Sequence, residues 1–545
     1  MIRSLSFDTK KHGGTTMTGK AYINGIIYTV NPKQPTADTV VTVGNKILFV
    51  GKKEDARDYI GKHTEIIDLD GKLMLPGFID NHTHFTCGGF YLLGIDLRPA
   101  ESVEEFRQIL RDYVHTHKGQ WITGGNWDHE KWETKAEPVK EMIDDFSPDT
   151  PIAVGRFDGH MLLANSLALK LAGITKDKPS PDGGLIVKDP QTDEPVGILK
   201  DRAMDLVKAV IPEPTTAQHE QAVVAGLDEA KRNGITGVHD ITDPRDLIVY
   251  QNLEKRGDLT CRFYTRLPID EYKNLAYAGI KYGFGSDRLK IGSMKAFADG
   301  SIGSRTAWFF DPYLHDPTNC GLPMDIVNTG ELRRWCLSAD RRQLQLSVHA
   351  IGDKANDVVL DLFEEIVRTN PRWDRRFRIE HAQHVKPADF ERFKRLSVIA
   401  SMHPYHCIDD GVWLEKKIGD RVKSAYAFKT FLDTGIKLCF GSDWEVAPLN
   451  ALAGIYAAVT RRTLDGKNPD GWLPEQKISV EEAVQCYTIN SAYAAFEEKE
   501  KGSIEPGKLA DLVVLTEDIL TIDPAEIINA EVDQTIFDGQ VIYQK

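Results

Sequence analysis

Between residues 75 and 442 the chain repeats one pattern eight times: an apolar run of strand length, then a longer stretch with helical amphipathicity. The runs fall at 75–84, 234–241, 260–267, 289–297, 344–349, 377–381, 398–403 and 436–442. Parallel strands cannot be joined by a tight turn, so this alternation is the mark of βαβ units around a parallel sheet. Eight such units predict an α/β fold, a distorted (β/α)8 TIM-type barrel spanning 75–499. The interval of about 85–230 is too long for one crossover and predicts an inserted lid or subdomain. Within it, 183–199 reads as a hairpin, and 106–115 and 138–145 read as helical.

The two ends resemble each other more than the middle. Residues 21–30 and 38–52 are β-branched runs broken by Asn24-Gly25 and Gly44-Asn45, and 510–515 and 535–543 repeat the style around Asp538-Gly539. An isolated hairpin is marginal in water, so both ends are expected to build one small β-sandwich from 20–74 plus 500–545. Residues 1–19 are polar, lack an apolar h-region and read as a flexible N-terminal extension.

Composition narrows the class. With 67 basic against 81 acidic residues the formal charge is −14, which disfavours a polyanionic partner because nucleic-acid binders need Lys/Arg stripes. No stretch approaches the roughly 18–20 apolar residues of a membrane span. Seven scattered cysteines without a CxxC pair suit reduced thiols, so a cytoplasmic location is expected. The partner expected is a small-molecule substrate, with neither nucleic acid nor membrane; a homodimer is left open.

Metal-capable side chains collect where the predicted strands end, the rim that carries active sites in such barrels. His82 and His84 close the first strand in Asp80-Asn81-His82-Thr83-His84, and an i, i+2 pair points to one face. His349 and His381 end the fifth and sixth strands, Asp443 follows the eighth, and Lys295 sits near the end of the fourth. Four imidazoles and a carboxylate suit a borderline-soft cation such as Zn²⁺. A lysine in a barrel mouth is costly to bury as an ammonium. One reading is an ion pair with Asp299; the other is a carbamate formed with CO₂, bridging two ions.

Several segments carry a resemblance. Leu75-Pro76-Gly77-Phe78-Ile79-Asp80-Asn81-His82-Thr83-His84 is similar to the strand-one signature of the amidohydrolase superfamily. Gly125-Asn126-Trp127-Asp128, Gly159-His160-Met161-Leu162-Leu163-Ala164-Asn165-Ser166 and Lys295-Ala296-Phe297-Ala298-Asp299-Gly300-Ser301 resemble its metal-dependent hydrolase branch that includes N-substituted formamide deformylase. So do His349-Ala350-Ile351-Gly352-Asp353, Glu380-His381-Ala382-Gln383 and Gly441-Ser442-Asp443-Trp444. The resemblance covers almost everything after about residue 20. It implies one or two Zn²⁺ per chain, the binuclear form favoured: His82, His84 and Asp443 on one ion, His349 and His381 on the other, and carboxylated Lys295 between them.

The expected reaction is hydrolysis of a carbon–nitrogen bond of amide type, N-acyl or N-formyl, by a metal-bound hydroxide, with Asp443 as proton shuttle. His160 is a candidate donor to the carbonyl oxygen. Trp127, Phe157 and Trp444, with Arg305 for a substrate carboxylate, are candidate substrate contacts, although aromatics are equally good core material. Asp353 is expected to cap the helix after the fifth strand, and Asp299 to orient Lys295 or the 300–304 loop. A mononuclear deaminase and an ester or lactone hydrolase are the enzyme alternatives. A metal-free scaffold would have lost ligands, and none of the six positions has.

Overall fold

The computed structural model describes residues 19–156 and 160–545. Residues 1–18 of the expected extension, and Phe157, lie outside them. The chain divides into two compact units, Met1–Phe85 with Leu227–Lys545, and Thr86–Gly226.

The larger unit is built on eight strands: β1 (Phe78–Thr83), β2 (Ile235–Ile241), β3 (Arg262–Pro268), β4 (Leu289–Phe297), β5 (Gln345–Ala350), β6 (Arg378–His381), β7 (Ile399–Met402) and β8 (Leu438–Phe440). Each pairs in parallel with the next in the chain. At the rim the ends of the path meet. Thr83 bridges Trp444, the Asp443 N–H donates to the His82 carbonyl at 2.8 Å, and the His84 N–H donates to the Trp444 carbonyl at 2.6 Å. The sheet is thus an α/β barrel of TIM type. Its strands are buried along nearly their whole length, which explains their continuous apolar runs: a parallel strand is covered on both faces.

The crossover helices are patterned to cover it. In Asp353–Thr369, Ala355, Val359, Leu362, Phe363 and Ile366 recur at three- and four-residue spacing and are buried. The predicted first strand proves to be two, Leu73–Pro76 and β1. Gly77 separates them because a Cβ there would lie 2.3 Å from Thr236 Oγ1.

Both chain ends contribute to two further sheets. One holds Lys46–Gly51, Thr39–Val43, Gly19–Ile23 and Glu65–Asp68; the other holds Gln540–Gln544, Val532–Phe537, Leu512–Leu515, Leu73–Pro76, Ile26–Tyr28 and Thr36–Ala37. They share one cluster of buried side chains, including Tyr22, Val40 and Ile47 with Met74, Leu512 and Ile536. Asp538 and Gly539, at φ +51° and +72°, make the hairpin turn their residue types favour.

Arg262 at the start of β3 joins this region to the barrel. It is 2% exposed, its Nε and Nη2 donate to Asp511 at 2.6 and 2.9 Å, and it also pairs with Asp538. Removing it leaves Asp511 without its paired charge and Asp538 with Arg288 alone.

The second unit has its own sheet, ordered Gly184–Lys188, Pro195–Asp201, Met161–Ala164, Ile152–Arg156, Ile122–Trp127 and Ile95–Asp96. The helix Val103–Thr116 is capped by Ser102, whose Oγ accepts the Glu105 N–H at 3.2 Å. Phe106, Leu110 and Val114 from that helix pack with Trp127 and Trp132 in the core.

Arg262→Ala is expected to cost about 3–5 kcal/mol in urea unfolding, the range for breaking a buried pair from one side. Burial raises the Asp538 carboxyl, but Arg262 and Arg288 outweigh it and hold it below its ordinary 3.8. That share of stability is therefore complete above 3.8 and is lost as pH falls through the lower folded value. An unfolding midpoint unchanged in Arg262→Ala would refute this role.

Candidate metal centre

The barrel rim concentrates imidazoles because successive parallel strands end there. His82 is the fifth residue of β1, and His84 follows one residue past its end. His349 lies in β5, His381 closes β6, His403 follows β7 and Asp443 lies three residues beyond β8. His381 and Asp443 adopt φ of +70° and +59°, a backbone cost that non-glycine residues bear mainly at functional sites.

The side chains converge. Asp443 Oδ1 is 3.4 Å from Nε2 of both His82 and His84. The His381 ring lies 5.3 Å from that of His82, 4.3 Å from His349 and 4.6 Å from His403, between centroids. A ligand atom from each of His82, His381, His403 and Asp443 lies within 4.8 Å of the others. His82 Nε2, His381 Nδ1, His403 Nε2 and Asp443 Oδ1 are all buried without a hydrogen-bond partner. Buried polar atoms are normally paired, so four orphans facing one another fit a cation, and their N/O character fits a zinc-type ion.

Contacts behind the rings decide which nitrogen faces the cluster. His82 Nδ1 is 2.5 Å from Glu380 Oε2, and His403 Nδ1 is 3.1 Å from the Gly441 carbonyl. Each ring therefore donates backward through Nδ1–H and presents the Nε2 lone pair. Glu380 is fully buried and also pairs with Arg266 Nη1 at 2.8 Å, Arg378 Nε at 2.9 Å and Ser401 Oγ at 2.7 Å. Burial raises its carboxyl, but Arg266, Arg378 and His82 together hold it well below the carboxylate range.

The same burial favours the neutral form of His82, His349, His381 and His403. It pulls His403 down to about 4 and, reinforced by Lys295, His349 down to about 3. Burial likewise brings the Lys295 amine to about 7, with Glu380 opposing and Arg266 reinforcing. Its Nζ has no hydrogen-bond partner and lies 4.7 Å from the Phe297 centroid. Asp443 is raised by burial but held far down by His82, His84 and His381.

His82, His84, Lys295, His349, His381 and Asp443, the six residues the sequence singles out as ligands, line one cavity of about 410 Å³. Of the remaining candidates in the larger unit, Trp444 and Arg305 are not in that lining. Trp444 is buried and meets Phe85 edge to face at 5.5 Å. Arg305 is exposed, with φ +59°. Trp127 is wholly buried in the second unit, its Nε1 donating to the Val154 carbonyl at 2.9 Å. In that unit too, His160 is exposed, with Nδ1 2.8 Å from Asp201.

The helix expected to be capped by Asp353 has Gly352 as its N-cap residue and no side-chain cap; Asp299 instead holds the turn that leads into it. Its oxygens accept the N–H groups of Ile351, Gly352 and Trp308 at 3.0, 2.8 and 2.8 Å, and Oδ1 lies 3.4 Å from His349 Nε2. Asp353 is instead the first helical residue and accepts the Phe310 N–H.

His403 and Glu380 were not among the expected site residues. His403 closes the predicted seventh strand and differs from the other strand-end histidines in no local way. Glu380 stands beside His381 on β6 but points at β1, a direction visible only once the sheet has closed.

Fold and rim together define a metal-dependent hydrolase of the barrel type. The profile described as "Amidohydrolase family" matches residues 65–543. The chain is 38% identical over 511 residues to Protein LONG AFTER FAR-RED 3 of Arabidopsis thaliana, covering 90% of this chain and 86% of that one. It is 26% identical to the N-substituted formamide deformylase of Arthrobacter pascens, covering 97% and 99%. An uncharacterized metal-dependent hydrolase from Pyrococcus furiosus superposes with a TM-score of 0.78 at 30% identity, covering 92% of this chain and all of that one. The chain belongs to the amidohydrolase family.

Glu380→Ala is expected to weaken metal binding about 10–100-fold, as loss of a ligand's orienting carboxylate does. It should also cost about 3–5 kcal/mol of stability, because Arg266 and Arg378 lose their counter-charge. A chelator-competition titration and urea unfolding read the two effects separately.

Proposed function

We propose that this enzyme hydrolyses a carbon–nitrogen bond of amide type, N-acyl or N-formyl, in a small molecule. The observation that carries the reading is the set of buried, unpartnered ligand atoms of His82, His381, His403 and Asp443 at the barrel rim, beside a cavity large enough for a small substrate. The formamide-cleaving name of the Arthrobacter pascens relative supports the bond type.

In this reading His82, His84 and Asp443 would hold one zinc-type ion and His349 and His381 a second, with Lys295, as its carbamate, a further ligand and His403 beside them in the same cluster. An amine brought near neutrality by burial is the form that can take up CO₂, which supports the carbamate. Zinc bound there supplies Lewis acidity, which makes water a competent nucleophile near pH 7 and polarises a carbonyl.

The chain's own groups do the rest. Asp443, ionised at neutral pH, accepts the proton of the attacking water at a carboxylate oxygen and returns it to the leaving nitrogen. His82 and His403, held by Glu380 and the Gly441 carbonyl, cannot rotate away. The apolar walls Phe297, Ile302 and Ile351 keep bulk water from the reacting carbonyl.

Two structural readings accompany this. We take the terminal sheets as the layers of a small β-sandwich, supported by their shared cluster, and the seven free cysteines support a reducing, cytoplasmic setting. No helix among the described residues is long and apolar enough to cross a membrane.

Elemental mass spectrometry of protein purified without added metal or chelator tests the centre. About two transition-metal ions per chain are expected, as for a two-metal site, and no uptake of added zinc would sink the reading. Asp443→Asn, saturated with added zinc, should lose about 10²–10⁴-fold in kcat on an N-formyl amine, the usual span for acid–base catalysis. Full activity in a folded, metal-loaded variant would remove Asp443 from the proton path.

A further inference from the structure

Gln383, two residues past the end of β6, lines the rim cavity but is not one of the metal-facing groups. It is 4% exposed. His381 and Ala382 before it both have positive φ, +70° and +43°, so the chain turns sharply and Gln383 no longer follows the strand's alternation. The backbone beyond the turn is fixed. The Tyr426 N–H donates to the Gln383 carbonyl at 2.9 Å, and the His384 N–H donates to the Ile351 carbonyl at 3.0 Å.

The side chain is fixed as well. Gln383 Nε2 donates to Asp410 Oδ2 at 2.7 Å, and the Tyr426 hydroxyl donates to the same oxygen at 2.6 Å. Tyr426 therefore holds Gln383 twice, directly through its N–H and indirectly through Asp410. Burial pushes the Asp410 carboxyl up and Asp409 adds to the rise, but Tyr426, His406 and Gln383 hold it to about 6. At neutral pH the group is chiefly a carboxylate, which only accepts. A flipped Gln383 amide would set two acceptors against each other, so Nε2 faces Asp410 and Oε1 faces away.

That leaves one oxygen over. Among the described residues Oε1 takes no hydrogen bond. Unlike the sealed orphan atoms of the ligand cluster it also keeps some accessible surface, and the cavity is the space that Gln383 lines. Acceptors on a side chain this deeply buried are normally paired. A rigid, unanswered acceptor in the wall of a substrate cavity calls for a donor on the substrate.

Resting on the hydrolase reading above, we propose that Gln383 determines specificity: its Oε1 accepts the N–H of the amide to be cut, so secondary amides are taken and tertiary amides, which lack that proton, are rejected. The contact outlasts the reaction, because the leaving nitrogen keeps its N–H and gains one further proton from Asp443. Asp410 is the positioning residue, turning the amide so that its oxygen is the end on offer.

The test compares N-butylformamide with N-butyl-N-methylformamide on the full chain, with zinc content matched between wild type and variants. The wild-type kcat/KM ratio should favour the secondary amide by about tenfold or more, the scale of one hydrogen bond made in a dry site. In Gln383→Met, similar in length but without the oxygen, the ratio should fall toward one. Asp410→Asn can donate where the carboxylate only accepts, which frees the amide to turn over, and should lower the ratio too. A residue with a merely structural role would slow both substrates alike and leave the ratio unmoved.

A wild-type ratio near one overturns the proposal and leaves the hydrolase reading standing. So does a high ratio that neither variant changes, since discrimination would then be by bulk. Should Gln383→Met fail to fold, wild type is given N-formylpyrrolidine, a tertiary amide whose ring ties back its bulk. Cleavage as slow as that of the N-methyl compound supports the proposal, and cleavage as fast as that of N-butylformamide refutes it. If none of these compounds is cleaved, the hydrolase reading falls instead. Calorimetric binding of the matched pair to the zinc-loaded protein then decides: tighter binding of the secondary amide supports the role of Gln383, and equal binding refutes it.

Discussion

The barrel of this amidohydrolase is organised around one buried negative charge. Glu380 sits in the interior with Arg266, Arg378, Ser401 and His82 all directed at it. Arg378 reaches further, donating Nη2 to the Asn81 carbonyl at 2.8 Å and Nη1 toward His239 Nδ1, also at 2.8 Å. Charges cannot be left unpaired at that depth, so β1, β2, β3, β6 and β7 must close in the one register that satisfies the set. The same closure delivers His82 to the rim with Nε2 facing outward.

What the interior charge network begins, the strand ends complete. His82, His349, His381 and His403 are too deeply buried to be protonated near neutral pH, and neutral imidazole is the form that binds metal. Asp443 supplies the anionic partner; burial raises its carboxyl, but its interactions with His82 and the hydrogen bond from His84 hold it below its usual range. Asp80, two residues before His82, accepts the N–H groups of His82 and Ser442 at 3.0 Å and ties the first strand to the eighth where the ligands cross. The backbone there admits no side chain at Gly441, since a Cβ would lie 2.5 Å from the His82 nitrogen.

Legibility in the sequence varied with how local each decision is. β4 at Leu289–Phe297 coincides with its predicted span, and β2 and β3 fall within two residues of theirs, because continuous apolar runs between turn residues are a local signal. The first predicted strand was read through Gly77, whose role in letting Thr236 approach is invisible without the partner strand. The six expected ligand positions come to one cavity because barrel topology sends every strand end to the same rim. His403 ends a predicted strand like the others, and nothing local marks it as a ligand. Trp127, for which the sequence allows either substrate contact or core, is core in its own unit, where its indole N–H finds a backbone carbonyl.

The sequence by itself determined the barrel class, through the period of its apolar runs, and the chemistry at the rim, through the residue types that close those runs. Both are properties of short segments. Only the tertiary structure decided which nitrogen each imidazole presents, that His403 joins the cluster, and that Asp409 and Asp410 share its cavity. Those outcomes depend on partners such as His82 and Glu380, 298 residues apart. No local propensity encodes such a distance; the burial of charge and the closing of a twisted sheet impose it.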